Sequence, residues 1–101
     1  MQLPDDMTKV VGGLRYATRT ATVLASNAYW DGNNWERQGR NTYLCRSPRG
    51  RYFLVHLTCW QSERDSIEPV TEDEAVGHYE TLPEHETPFE EAFPGRKIED
   101  A

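Results

Sequence analysis

Arginines and aromatic rings are interleaved through the middle of this chain. Arg37, Arg40, Arg46, Arg49, Arg51 and Arg64 accompany Tyr29, Trp30, Trp35, Tyr52 and Trp60. A guanidinium fork binds phosphate through two hydrogen bonds, and an exposed ring gives an unpaired base a face to stack on. That is the chemistry of a surface for single-stranded nucleic acid or RNA. Its candidate residues are Trp30, Trp35, Arg37, Arg40, Tyr52, His56 and Trp60. A plainer reading makes the arginines solvated flanks of a hairpin and the tryptophans plugs at the edge of a core. Lysine is scarce, the pI is near 5.0, and no RRM or helix-turn-helix pattern is present.

Other chemistries find less support. A nucleophilic thiol needs a base within hydrogen-bond reach. His56 falls on the strand face opposite Cys45 and Cys59, so it activates neither. There is no Cys-x-x-Cys and no His-x-x-x-His, and His56, His78 and His85 form no compact set with the cysteines. Glu72, Asp73 and Glu74 read as a helix start. Glu84, Glu86, Glu90 and Glu91 read as a solvated acidic face. No carboxylate pair converges in the way acid–base catalysis requires. Gly12, Gly13 and Gly50 are turn glycines, and no phosphate-cradling loop occurs. The expectation is a protein with no catalytic residues, no cofactor and no metal.

The elements that would carry these residues centre on one hairpin, Trp35 to Trp60. Pro48 fits the second position of a type I turn, and Gly50 the left-handed position after it. That turn sets Cys45 opposite Phe53 and Tyr43 opposite Val55. Side chains alternate along a strand. One face then holds Tyr43, Cys45, Phe53, Val55, Leu57 and Cys59, and should meet the core. The other holds Thr42, Leu44, Tyr52, Leu54, His56, Thr58 and Trp60. In this register Cys45 and Cys59 lie on the order of 20 Å apart, beyond disulfide reach. Both are expected as reduced, buried, small apolar residues.

Around the hairpin, Leu14-Arg15-Tyr16 starts a strand after the Gly12-Gly13 break. Thr18 to Ala25 reads as a strand, with Ala21, Val23 and Ala25 on one face; a short helix is the rival reading. Asp31-Gly32-Asn33-Asn34 is a turn. Ile67-Glu68-Pro69-Val70 is a short extended piece. Thr71 caps a helix to about Glu80, with Glu74 completing a capping box. Ala75, Val76, Tyr79 and Leu82 supply its apolar stripe, and Leu82-Pro83 ends it. Thr87 and Pro88 open a second helical turn, in which Phe89 and Phe93 dock together. The fold expected is α+β: a three- or four-stranded antiparallel meander, one C-terminal helix packed on one face, and a short extra helical turn.

The chain is 101 residues long, the size of a single domain. Residues 1–12 are expected as a flexible arm, 13–93 as the folded core and 94–101 as a frayed tail. No apolar run approaches a membrane span and the first residues carry no secretory signal pattern, so the expected location is the cytoplasm. The net charge of −6 is unevenly spread. Residues 1–64 hold nine Lys/Arg against five Asp/Glu, and residues 65–101 hold two against twelve. An acidic tail beside a basic surface suits an interaction protein.

Several segments together carry a resemblance. They are Leu14-Arg15-Tyr16 with Thr18, Thr20 and Ala21; Asp31-Gly32-Asn33-Asn34-Trp35-Glu36-Arg37; Asn41-Thr42-Tyr43-Leu44; Gly50-Arg51-Tyr52-Phe53-Leu54; and Ile67-Glu68-Pro69-Val70 with Glu72, Glu74 and Ala75. Over about residues 13–90 the chain resembles a loose family of short, functionally uncharacterised prokaryotic proteins, often found near plasmid or phage genes. The resemblance implies a folded module with this order of elements, and it supplies no activity and no catalytic residues. The function expected is that of a small non-enzymatic binding or interaction module. Its expected partner is a protein, with single-stranded nucleic acid as the alternative and no membrane.

Overall fold

The computed structural model of the chain describes residues 3–27, 40–58, 62, 64–96 and 98. Among the described residues seven strands and two α-helices run in the order β1 (Thr8–Val11), β2 (Leu14–Ala17), β3 (Thr22–Ser26), β4 (Arg40–Arg46), β5 (Tyr52–Thr58), β6 (Ser66–Val70), α1 (Glu72–Thr81), β7 (Glu84–His85) and α2 (Phe89–Ala92). Strands β6-β5-β4-β3-β7 form one antiparallel sheet, and β1 and β2 form a separate two-stranded one. The main sheet is thus wider than the expected meander, because β6 and the two-residue β7 both join it.

The central hairpin has the register its turn requires. Gly50 sits at φ +85°, and its N–H donates to the Ser47 carbonyl at 2.9 Å. Ser47 N–H donates to the Arg51 carbonyl at 2.8 Å, and Ser47 Oγ accepts from Arg51 N–H at 3.1 Å. Cys45 pairs with Phe53 and Tyr43 with Val55. Pro69 lies in β6, an edge strand, where its missing N–H costs no ladder bond.

Both faces of this hairpin are buried. Tyr43, Cys45, Phe53, Val55 and Leu57 pack with Tyr16 and Ile67, and with the half-buried Leu14 and Val23. Leu44, Tyr52 and Leu54 pack with Ala75, Tyr79 and Leu82 of the α1 region and with Ala92 and Phe93. The helices therefore cover the Leu44 face. The more apolar face is covered from the N-terminal part of the chain. Three layers result, with the five-stranded sheet in the middle.

That cover corrects the reading of residues 1–12 as a flexible arm. Gly12 and Gly13 have φ of 59° and 80°, the two left-handed residues of a type I′ hairpin turn. They fold β1 back on β2, pairing Val11 with Leu14 and Lys9 with Tyr16. Thr18 holds the hairpin's base: Met7 N–H donates to Thr18 Oγ1 at 3.2 Å, and Thr18 N–H to the Met7 carbonyl at 3.0 Å. Lys9 turns inward and donates to the Ile67 carbonyl at 3.1 Å. Val10 and Val11 stay exposed.

Four further expectations change. Thr18–Thr20 is a 3₁₀ turn, and the strand starts only at Thr22. A bulge between Val23 and Ala25 then sends Ala25 to the helix-side core while Val23 stays on the other. Thr87 does not cap α2; its hydroxyl donates to the Val23 carbonyl at 2.8 Å. Arg96, placed in the frayed tail, pairs with Glu72 at 2.9 Å and with Asp73. The Phe89–Phe93 contact forms as expected, with ring centroids 5.2 Å apart.

The α1 capping box is complete. Thr71 Oγ1 accepts from Glu74 N–H at 3.1 Å, and Glu74 Oε1 accepts from Thr71 N–H at 2.9 Å. The bond from the Thr71 backbone holds the Glu74 carboxyl below its ordinary pKa. Its contribution to stability is therefore present above the ordinary glutamate range and is lost as pH falls through the lowered value.

Two stability tests follow from this packing. Phe53 is fully buried and meets Tyr16 edge-on at 5.5 Å. Phe53→Ala should cost about 3–5 kcal/mol in urea unfolding, and a loss under about 1 kcal/mol would contradict its central place. Thr71→Ala should cost about 1 kcal/mol at neutral pH. The stability gap between wild type and Glu74→Gln should narrow on acidification, and a gap independent of pH would refute the cap's ionic character.

Candidate functional site

The two hairpin turns open a groove at one end of the molecule. Its volume is about 550 Å³. One wall is Gly13, Leu14, Arg15 and Tyr16; the other is Ser47, Pro48, Arg49 and Arg51. The Gly12-Gly13 turn fixes the first wall and the Ser47–Gly50 turn the second. Tyr16 and Ser47 are buried and form the floor, while Arg15, Arg49 and Arg51 are exposed. Among the described residues none of these three arginines pairs with a carboxylate, and no carboxylate lines the groove. The result is a concave site with three available guanidinium forks, suited to carboxylate or phosphate oxygens.

The arginine–aromatic set expected to act together is described only in part. Trp30, Trp35, Arg37 and Trp60 lie outside the described residues, and Arg40 is described through its backbone alone. Arg40 begins β4 and Arg46 ends it, which puts them about 20 Å apart along the strand. The groove is at the Arg46 end. The Ser26 end of β3 and the Thr58 end of β5 are at the other. Tyr52 is buried, stacks on Phe93 at 5.2 Å and donates its hydroxyl to the Ala92 carbonyl at 2.9 Å. It presents no ring to a ligand. Arg46 donates to the Glu91 and Ala92 carbonyls at 2.8 and 3.2 Å, so it secures α2. His56 is half-buried and its Nε2 lies 2.9 Å from Glu68 Oε1.

A second, more open cavity of about 870 Å³ lies beside α1. Val76, Tyr79 and Phe89 line it together with His85 and Arg96. His85 stacks on Tyr79 at 4.0 Å and its Nε2 lies 2.7 Å from the Tyr79 carbonyl. These contacts, and the Arg96 ion pairs, already engage His85 and Arg96; Glu80 also lines the cavity.

Sequence reasoning missed the groove because it started the folded core at residue 13 and so did not pair Leu14-Arg15-Tyr16 with Thr8–Val11 in a hairpin. A signal was available. Thr8-Lys9-Val10-Val11 and Leu14-Arg15-Tyr16 flank a Gly-Gly pair, the pattern of a two-residue hairpin.

Among the described residues no group of three or more His, Cys, Asp or Glu is placed to hold a metal ion. No described helix is long and apolar enough to cross a membrane. No protein family, curated protein or solved structure matches the chain.

Cys45 is fully buried, and burial pushes its thiol up to about 12. The thiolate is the reactive form, so Cys45 is inert at neutral pH. Cys59 lies outside the described residues. In a Cys59→Ser variant, a maleimide at pH 8 should label Cys45 only in denaturant. Rapid labelling of the native protein would put the thiol at the surface and reopen a nucleophilic role.

Proposed function

We propose that this chain is a small non-enzymatic binding module that holds an anionic partner in the Arg15–Arg49–Arg51 groove. The observation that carries this reading is the trio of exposed guanidinium groups, free of described carboxylate partners, along one groove. Arg46 and Arg96, by contrast, are each engaged by groups of the chain itself. The buried thiol of Cys45, on the sheet face opposite His56, supports the non-enzymatic part. The proposed setting is the cytoplasm, where thiols are kept reduced. A protein is the proposed partner. Single-stranded nucleic acid is the second reading, because guanidinium forks hold phosphate as readily as carboxylate.

Net charge allows a clean test. A protein at −6 is repelled by a polyanion resin unless a local cationic site holds it. The wild type should be retained on such a resin at low salt and released as salt rises. The Arg49→Glu/Arg51→Glu variant should flow through with unchanged circular dichroism. Extract proteins captured by the wild type should be lost with the same variant. Identical retention and identical captures for both proteins would remove the groove from the function.

A further inference from the structure

We propose that the groove takes an extended acidic peptide, which adds as a third strand to the free edge of β2. This rests on the reading of the groove as the binding site and names its ligand. The hairpin supplies the backbone half of the argument. Among the described residues β2 has a single neighbour, β1. Both turn glycines are left-handed, so the turn is a two-residue type I′ and the pair flanking it exchanges hydrogen bonds. Val11 with Leu14 is that pair, and Lys9 with Tyr16 is the next bonded one. Arg15, between them, must turn its N–H and C=O away from β1. Ala17 does the same one period later. Among the described residues nothing bonds to the outward N–H and C=O of Arg15 or to the N–H of Ala17, while the Ala17 carbonyl accepts the first bond of the Thr18–Thr20 3₁₀ turn. An unpaired strand edge along a groove is the geometry of strand addition.

The side chains set the chemistry of the added strand. Arg15 projects from β2 itself, and Arg49 and Arg51 face it across the groove. A peptide paired with β2 would lie about 4.8 Å from it, between the two walls. Its alternate side chains would point the same way, so carboxylates at every second position would meet the guanidinium groups. Leu14 is half-buried in the same wall and offers apolar contact to an intervening residue. A nucleic-acid strand fits less well. Base stacking needs an exposed ring, and the ring in this groove, Tyr16, is buried edge-on against Phe53.

The test compares defined probes by fluorescence anisotropy at low salt. They are a short peptide of alternating Glu and Val, the same peptide N-methylated on the amides that would face β2, its Gln counterpart, and an oligothymidylate. The alternating acidic peptide should bind tightest. N-methylation should weaken it by about threefold to tenfold, as expected for the lost hydrogen bond to the Arg15 carbonyl. The Arg49→Glu/Arg51→Glu variant should abolish binding, and amide NMR shifts should be largest at Arg15 and Ala17. Equal binding of the methylated peptide would overturn strand addition. Tighter binding of the oligothymidylate would assign the groove to nucleic acid. Self-association that disappears in the arginine variant would assign it to the acidic half of a second copy. In these three cases the groove remains the site and only the peptide is rejected. Probe binding unaffected by the arginine variant would reject both.

Discussion

Leu44 and Cys45 are neighbours in sequence, both are fully buried, and they point to opposite sides of one strand. The same holds for Phe53 and Leu54 on the paired strand. The central hairpin thus has no face for water, and the rest of the chain is arranged to cover it twice. Each cover is weak by itself. A ten-residue helix is marginal in isolation, and so is a two-stranded hairpin. Each is held by the sheet face it protects. This makes the fold mutually dependent, and it explains why the turn chemistry at Ser47–Gly50 matters beyond its own four residues.

Local rules were legible where one segment decides its own structure. The hairpin register followed from Pro48 and Gly50, and the α1 start from Thr71 and Glu74. Pairing of distant segments was not legible. Nothing in Glu84-His85 marks it as a strand; it joins the sheet because Ser26 and Ala25 offer an edge there. Thr87 has the right type and spacing for a cap, but the Val23 carbonyl competes for its hydroxyl. Ala25 left its expected face because a bulge at Val23 breaks the alternation. In the functional region the residue types pointed to arginine and anion chemistry. They could not show that Arg46 is spent on carbonyls, that Tyr52 is a core residue, or that Arg15 arrives from another hairpin.

Charge separation along the sequence becomes charge separation in space. The acidic C-terminal part supplies the helices on one face of the sheet. There Glu72, Asp73 and Glu74 suit the positive end of the α1 dipole, and two of them hold Arg96. The groove opens beside the other cover, between two hairpin turns. Stacked layers are about 10 Å apart, and the solvent path around the sheet is longer. That exceeds a Debye length of about 8 Å at physiological salt. The arginine groove therefore presents its own local field despite an overall acidic protein.

Strand β1 leaves a different mark on the molecule. The main sheet has blunted margins: Pro69 interrupts one, and the other is the two-residue β7. Proteins usually guard a remaining edge with an outward lysine. Here Lys9 is committed to the Ile67 carbonyl, and Val10 and Val11 stand uncovered beside an outer backbone with no described partner strand. Among the described residues the short β-branched run at Val10 and Val11 is thus the part of this fold most open to sheet-to-sheet aggregation. Concentrated preparations would gain more shelf life from a charge at Val10 than from any change to the core.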